Sequence, residues 1–125
     1  MALEEIKKLT DDGLRIRVGE LLGLFVAAGS LPHYAATWSG LVCKGQDDEY
    51  YRELPHYPTD LNAMYEVEEP IWNDPTMAMK WHYATCLHKV SGHGLMYHIS
   101  ARHRAEAFVL MMEEEADESD ETKTD

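Results

Sequence analysis

The chain is 125 residues long, 45% hydrophobic and 27% charged, the proportions of a soluble globular protein with room for one domain and one core. No apolar run approaches the roughly 18 residues of a membrane span, and the opening MALEEIKKL is a charged amphipathic segment rather than a signal peptide, so no membrane partner is expected and a cytoplasmic location is. The formal net charge is −12, but residues 113–125 hold eight acids and one lysine, a net of −7, which leaves −5 for residues 1–112 and no basic stripe for direct binding of nucleic acid.

Taken in chain order, Thr10 is placed to cap a helix to about residue 22, with Leu14, Val18, Leu21, Leu22 and Phe25 at helical spacing as its core stripe and Gly23 as its stop. Residues 24–42 mix aromatic, Thr and Val residues with Gly29-Ser30, Pro32 and Ser39-Gly40, which predicts irregular structure and one or two short strands, centred on residues 34–42. Residues 45–49 form a polar turn, and residues 50–54 suit a further strand.

A second helix is expected over residues 60–69, ended by Pro70 through the restriction that proline places on the residue before it. Asp74-Pro75 starts a third, reaching about Val90, with Met77, Trp81, Ala84 and His88 on one face and Ser91-Gly92-His93-Gly94 as its break. Residues 95–99 read as a last strand. Ser100 then caps a final helix with Ala101, Ala105, Phe108 and Met112 spaced for one buried face. The result is an α+β chain, helices packed around a small mainly antiparallel sheet in an α-β-α sandwich over residues 1–112. The acidic residues 113–125 are expected to be a largely disordered, self-repelling tail.

Two segments carry a resemblance. Pro55, Tyr57, Asp60, Leu61, Asn62, Ala63, Met64, Glu66 and Glu68 fall on one motif, and His98, Ala101, Arg104, Ala105, Glu106, Ala107 and Phe108 on another. Together with LTDDGLRIRVGELLG near the amino end, they resemble the phage ABA sandwich domain family of small tailed-phage and prophage proteins. Ile99 and Ser100 depart from the Ala and Thr usual there, and Ser is as good a helix cap as Thr. Residues 24–53 and the tail lie outside the resemblance, which covers about half the chain. It implies a phage or prophage origin and a host-cell cytoplasmic location, with no activity to carry over.

The chemistry-bearing residues point in two directions. Tyr57 precedes the second helix, Asp60 and Asn62 stand in its first turn, and Arg102 and Arg104 open the last helix; if those helix starts share one end of the sheet, they form a small polar cleft for a ligand or peptide end. The competing reading is a structural Asp60–Arg pair, while Glu66 and Glu68 suit an exposed helix face without a function. Separately, His82 and Cys86 lie four apart on the third helix with His88 nearby, from which a metal site can be drawn, although no paired Cys or His spacing declares one. Surface or packed histidines are the simpler reading, and no cofactor is expected.

Cys43 and Cys86 read as reduced, mostly buried thiols. No Ser or Cys sits in a nucleophile elbow, and the Gly92-His93-Gly94 turn, followed by a strand, is no phosphate loop. The aromatics Trp38, Tyr50, Tyr51, Trp72, Trp81 and Tyr83 outnumber what a small core requires, so an exposed subset would suit a contact surface. The leading expectation is a non-enzymatic binding protein for a host or phage protein or a small ligand, with counter-defence as its concrete form. The alternative is a small metal-dependent hydrolase using His82, Cys86 and His88.

Overall fold

The computed structural model describes residues 2–28, 41–92 and 99–123. Its order is α1 (Leu3–Lys8), α2 (Asp11–Leu21), β1 (Phe25–Ala28), β2 (Leu41–Lys44), β3 (Arg52–Glu53), α3 (Leu61–Trp72), α4 (Met77–Ser91) and α5 (Ala101–Lys123). The three strands form an antiparallel sheet in the order β1-β2-β3, with Val26 opposite Cys43 and Cys43 opposite Arg52. The α+β class is therefore as the patterning predicts. Of the strand expected over residues 34–42, residues 34–40, with Trp38, lie outside the described residues, and Leu41 and Val42 belong to β2; of the one expected over residues 95–99, only Ile99 is described, and it is not in a strand.

Local chemistry explains the helix ends. The Thr10 hydroxyl accepts from the Gly13 N–H at 3.0 Å, and Gly23 takes a φ of 85° just past α2, where only glycine escapes a Cβ penalty. The Asp60 carboxylate accepts from the N–H groups of Asn62 and Ala63, Ser100 accepts from His103 N–H, and Gly92 closes α4 in the left-handed region. Asp74 accepts from both the N–H and the hydroxyl of Thr76, so α4 begins two residues later than Asp74-Pro75 suggests. The polar turn at residues 45–49 is closed by the Asp48 carboxylate, which accepts from Gly45 N–H.

Two expectations are corrected by packing. α3 does not end before Pro70 but runs through it to Trp72. The proline ring forfeits one helical bond, yet Asn73 N–H resumes the ladder onto the Glu69 carbonyl, Ile71 is buried, and the Trp72 ring lies 5.3 Å from that of Tyr83. The stripe assigned to α2 holds for Leu14 and Val18, both fully buried, but fails at its end: Leu22 is 41% exposed, and Phe25 is 51% exposed and lies in β1. Gly23 turns the chain, so the helical period no longer applies beyond it.

The last helix is the element against which the others are laid. It packs on α1, α2, α3 and α4, while β1 rests on α2. From Arg104 to Met111 every residue of α5 is buried, a sign of a helix enclosed on all sides. A buried chelate ties it to α3 and α4: Arg104 Nη1 donates to both Glu68 oxygens at 2.8 Å, Arg104 Nε donates to the Ile99 carbonyl, and the Tyr83 hydroxyl donates to Glu68 Oε2 at 2.5 Å. Glu68 is only 1% exposed and Arg104 4%, so Glu68 is a core residue and not part of the exposed face predicted for it. The sheet side is held by Arg15, fully buried on α2, which donates through Nε to the carbonyls of Leu54 and Pro55 and so pins the strap between β3 and α3. A Cβ on Gly19 would stand 2.9 Å from Leu54 Cδ1, so this helix turn needs glycine for the strap to approach.

The helix does not stop at Met112. α5 continues to Lys123, and Glu113 meets Arg17 while Glu114 and Glu115 meet His82.

Arg104→Ala should destabilise the fold by about 3–5 kcal/mol in denaturant unfolding, because it strands a buried carboxylate. The paired change Glu68→Leu with Arg104→Met should cost less than Arg104→Ala alone; an equal or greater loss would show that packing around the pair, not the unpaired charge, sets the penalty. Phe108→Ala should cost about 3–5 kcal/mol on the same assay.

Candidate functional site

Two places on the surface bring chemistry together. The first is a groove of about 210 Å³ between the end of α2, the sheet and α3, lined by Leu22, Leu24, Arg52, Pro55, Tyr57, Ala63, Glu66, Val67 and Pro70. α3 contributes positions 63, 66, 67 and 70, one face at helical spacing, and the pinned strap contributes Pro55 and Tyr57. The lining is mainly apolar, with Arg52 and Glu66 as its two charges. Burial pushes the Tyr57 phenol up to about 12, so it is neutral and serves as a wall of the groove.

Of the five polar residues expected to form a cleft, only Tyr57 lines this groove. Asp60 is engaged as the cap of α3, and Asn62 stands exposed in the same turn with its N–H held by Asp60. Arg102 is a clasp between the two ends of the chain: it donates to Asp11 at 2.7 Å, to Glu106 at 3.0 Å and to the carbonyls of Lys7 and Leu9. Arg104 is buried against Glu68, and its guanidinium also lies 5.3 Å from the centre of the Tyr65 ring. The structural partner of Arg104 is therefore Glu68 rather than Asp60. Glu68 was discoverable from spacing, since Met64, Val67, Glu68 and Ile71 occupy one stripe of α3 and its other members are plainly apolar.

The second place is the seam between α4 and α5. His82 and Cys86, four apart, share a face of α4, and α5 brings Glu114 to them so that one donor atom from each lies within 4.8 Å of the others. His82 Nε2 lies 2.5 Å from Glu114 Oε2, and His82 Nδ1 lies 2.9 Å from Glu115 Oε1. Cys86 Sγ is 4.0 Å from Glu114 Oε2, and Lys89 Nζ donates to Glu114 Oε1 at 3.4 Å. His88 does not join the cluster. Two residues beyond Cys86 it has turned to the exposed side of α4, the same side as Met77 and Trp81. Glu114 was missed because the acidic run reads by composition as solvent-facing.

Two carboxylates around one imidazole require both ring nitrogens to donate, which makes His82 an imidazolium. Burial pulls its pKa down, but the hydrogen bonds it donates to the Glu114 and Glu115 carboxylates, with their negative charges, outweigh this and hold it above its ordinary 6.5. The hydrogen bond from His82 holds Glu114 below its ordinary 4.5. Burial, reinforced by the Glu114 charge, raises the Cys86 thiol to about 12, and both cysteines are free, buried thiols as the compartment argument expects.

The metal-free seam should be strongest between about pH 4.5 and 6.5. The contribution of His82 is complete below its unfolded pKa and fades as pH rises through the raised folded value; that of Glu114 is complete above its unfolded pKa and fades as pH falls through the depressed one. Denaturant unfolding across pH should show this bell, and His82→Gln should flatten its alkaline side; an unchanged profile in that variant would exclude the imidazolium contact.

Among the described residues no helix is long and apolar enough to cross a membrane. No protein-family model, no curated protein and no solved structure matches the chain.

Proposed function

We propose that this is a non-enzymatic binding protein whose groove between α2, the sheet and α3 receives an apolar side chain of a partner protein. The observation that carries the reading is the size and lining of the groove. At about 210 Å³ it falls below the roughly 300–1,000 Å³ typical of small-molecule pockets, but it suits one anchoring side chain. Leu22, in the wall of the groove, is 41% exposed, and Phe25, at the start of β1, is a further exposed apolar side chain close in sequence to it. Arg52 and Glu66 supply charges of both signs to fix orientation. These features favour a protein partner over a free small ligand.

The resemblance of residues 55–68 and 98–108 to the phage ABA sandwich family supports reading the chain as a phage- or prophage-encoded accessory protein acting in the host cytoplasm. Neutralising a host defence protein is the concrete version of this role. The hydrolase alternative draws on His82 and Cys86, which do meet a third metal-ligating group. No residue of that cluster lines the groove, so a substrate seated in the groove would not touch a metal held there.

Leu22→Glu and Phe25→Glu should each leave stability within about 0.5 kcal/mol, since both side chains are already half in water, and should abolish capture of the partner from lysate of a bacterial host. A photo-crosslinking residue at position 25 should join the chain to one host protein. Undiminished capture by both variants, or crosslinking spread over many proteins, would remove the groove from the function.

A further inference from the structure

The α4–α5 seam carries an inference that does not depend on the groove. His82, Cys86 and Glu114 offer one nitrogen, one sulfur and one oxygen donor, the mixed set that zinc accepts. The two donors on α4 are four residues apart, one turn of a single face. Their surroundings are arranged as a metal's supporting groups usually are. Glu115 holds His82 Nδ1 at 2.9 Å and thereby aims Nε2 inward, and Lys89 engages Oε1 of Glu114, leaving Oε2 turned toward His82 and Cys86. Cys86 lies buried beneath, whereas His82 and Glu114 remain partly open to solvent, so an ion can enter from outside and be anchored from below.

Bond lengths test the fit. Tetrahedral zinc with bonds of about 2.0–2.3 Å needs its donor atoms about 3.3–3.7 Å apart. Separations of 2.5 Å for His82–Glu114 and 4.0 Å for Cys86–Glu114 lie on either side of that range, all three donor atoms are within 4.8 Å of one another, and adjustments of about 1 Å are within reach of side-chain rotation. The charges close as well. In the metal-free seam an imidazolium faces a carboxylate beside a neutral thiol; an entering ion displaces the Nε2 proton and the thiol proton to solvent. Two positive charges replace two protons, and the net charge of the seam is unchanged.

We infer that His82, Cys86 and Glu114 form a site for one Zn²⁺ ion that ties α4 to α5, with its fourth position open to water. Cobalt(II) added to the full-length, chelator-stripped protein should produce a sulfur-to-cobalt charge-transfer band that saturates at one equivalent and is displaced by zinc. The band should vanish in Cys86→Ser and persist in Cys43→Ser and His88→Ala. His82→Asn and Glu114→Gln, both at partly exposed positions, should weaken binding at least about tenfold while circular dichroism shows them folded. Zinc should raise the Tm of the wild type and not that of the His82→Asn variant. A folded protein that gives no band, a band that follows Cys43, or affinity unchanged in both His82→Asn and Glu114→Gln would overturn the assignment.

Discussion

The buried chelate between Glu68 and Arg104 is the constraint on which the rest of the architecture hangs. A carboxylate and a guanidinium placed in a core this small each carry a desolvation cost of several kcal/mol, which only close mutual geometry and further hydrogen bonds can offset. Beyond the bidentate contact of Arg104 with Glu68 on α3, those further bonds come from the Tyr83 hydroxyl on α4 and the Ile99 carbonyl ahead of α5. Three helices and a loop are thus held in one register by groups that cannot slide without leaving a charge unpaired. Among the described residues no buried side-chain nitrogen or oxygen lacks a partner, as such a network requires. The pair also joins the two most recognisable segments of the sequence, since Glu68 belongs to one and Arg104 to the other.

Around that register α5 acts as the common wall. It is enclosed from Arg104 to Met111, and Glu113, Glu114 and Glu115 beyond reach back to cations on α2 and α4. An acidic stretch that composition alone marks as solvated therefore begins as a set of ties. Their strength is limited by their exposure, but their placement is specific: Glu113 meets Arg17, and Glu114 and Glu115 meet opposite nitrogens of His82. The same geometry that ties the helices together assembles the nitrogen, sulfur and oxygen donors of the proposed zinc site.

The groove and the seam occupy separate parts of the molecule and answer to different physics. The groove exists because Arg15 pins the strap after β3 and Gly19 lets that strap approach α2, leaving a concave, mainly apolar surface against α3. Its small volume suits a protein's side chain more than a metabolite, and Leu22 in its wall stands exposed. The seam is polar and narrow, fit for an ion rather than an organic substrate. The proposed partner groove and the proposed zinc site share no residue, so each can be tested without the other.

Much of the local structure was legible in the chain: the caps at Thr10 and Ser100, the stops at Gly23 and Gly92, the polar turn at residues 45–49, and the α+β class follow from interactions within a few residues of one another. The sequence also placed His82 and Cys86 on one face, because the helical period does that. Tertiary structure alone decided which charges are buried and which partners they take. Asp60 and Arg104 are each plausible ends of an ion pair by composition, and only packing shows one to be a cap and the other the partner of Glu68. Packing also carried α3 through Pro70, since burial of Ile71 and the Trp72–Tyr83 contact offset a lost helical bond that local rules treat as terminal. Glu114 reaches Cys86 across 28 positions, and the groove collects residues from 22 to 70. Sites built from such separations depend on how whole helices cross, a quantity set by the sum of side-chain packing and not written in any local stretch of the chain.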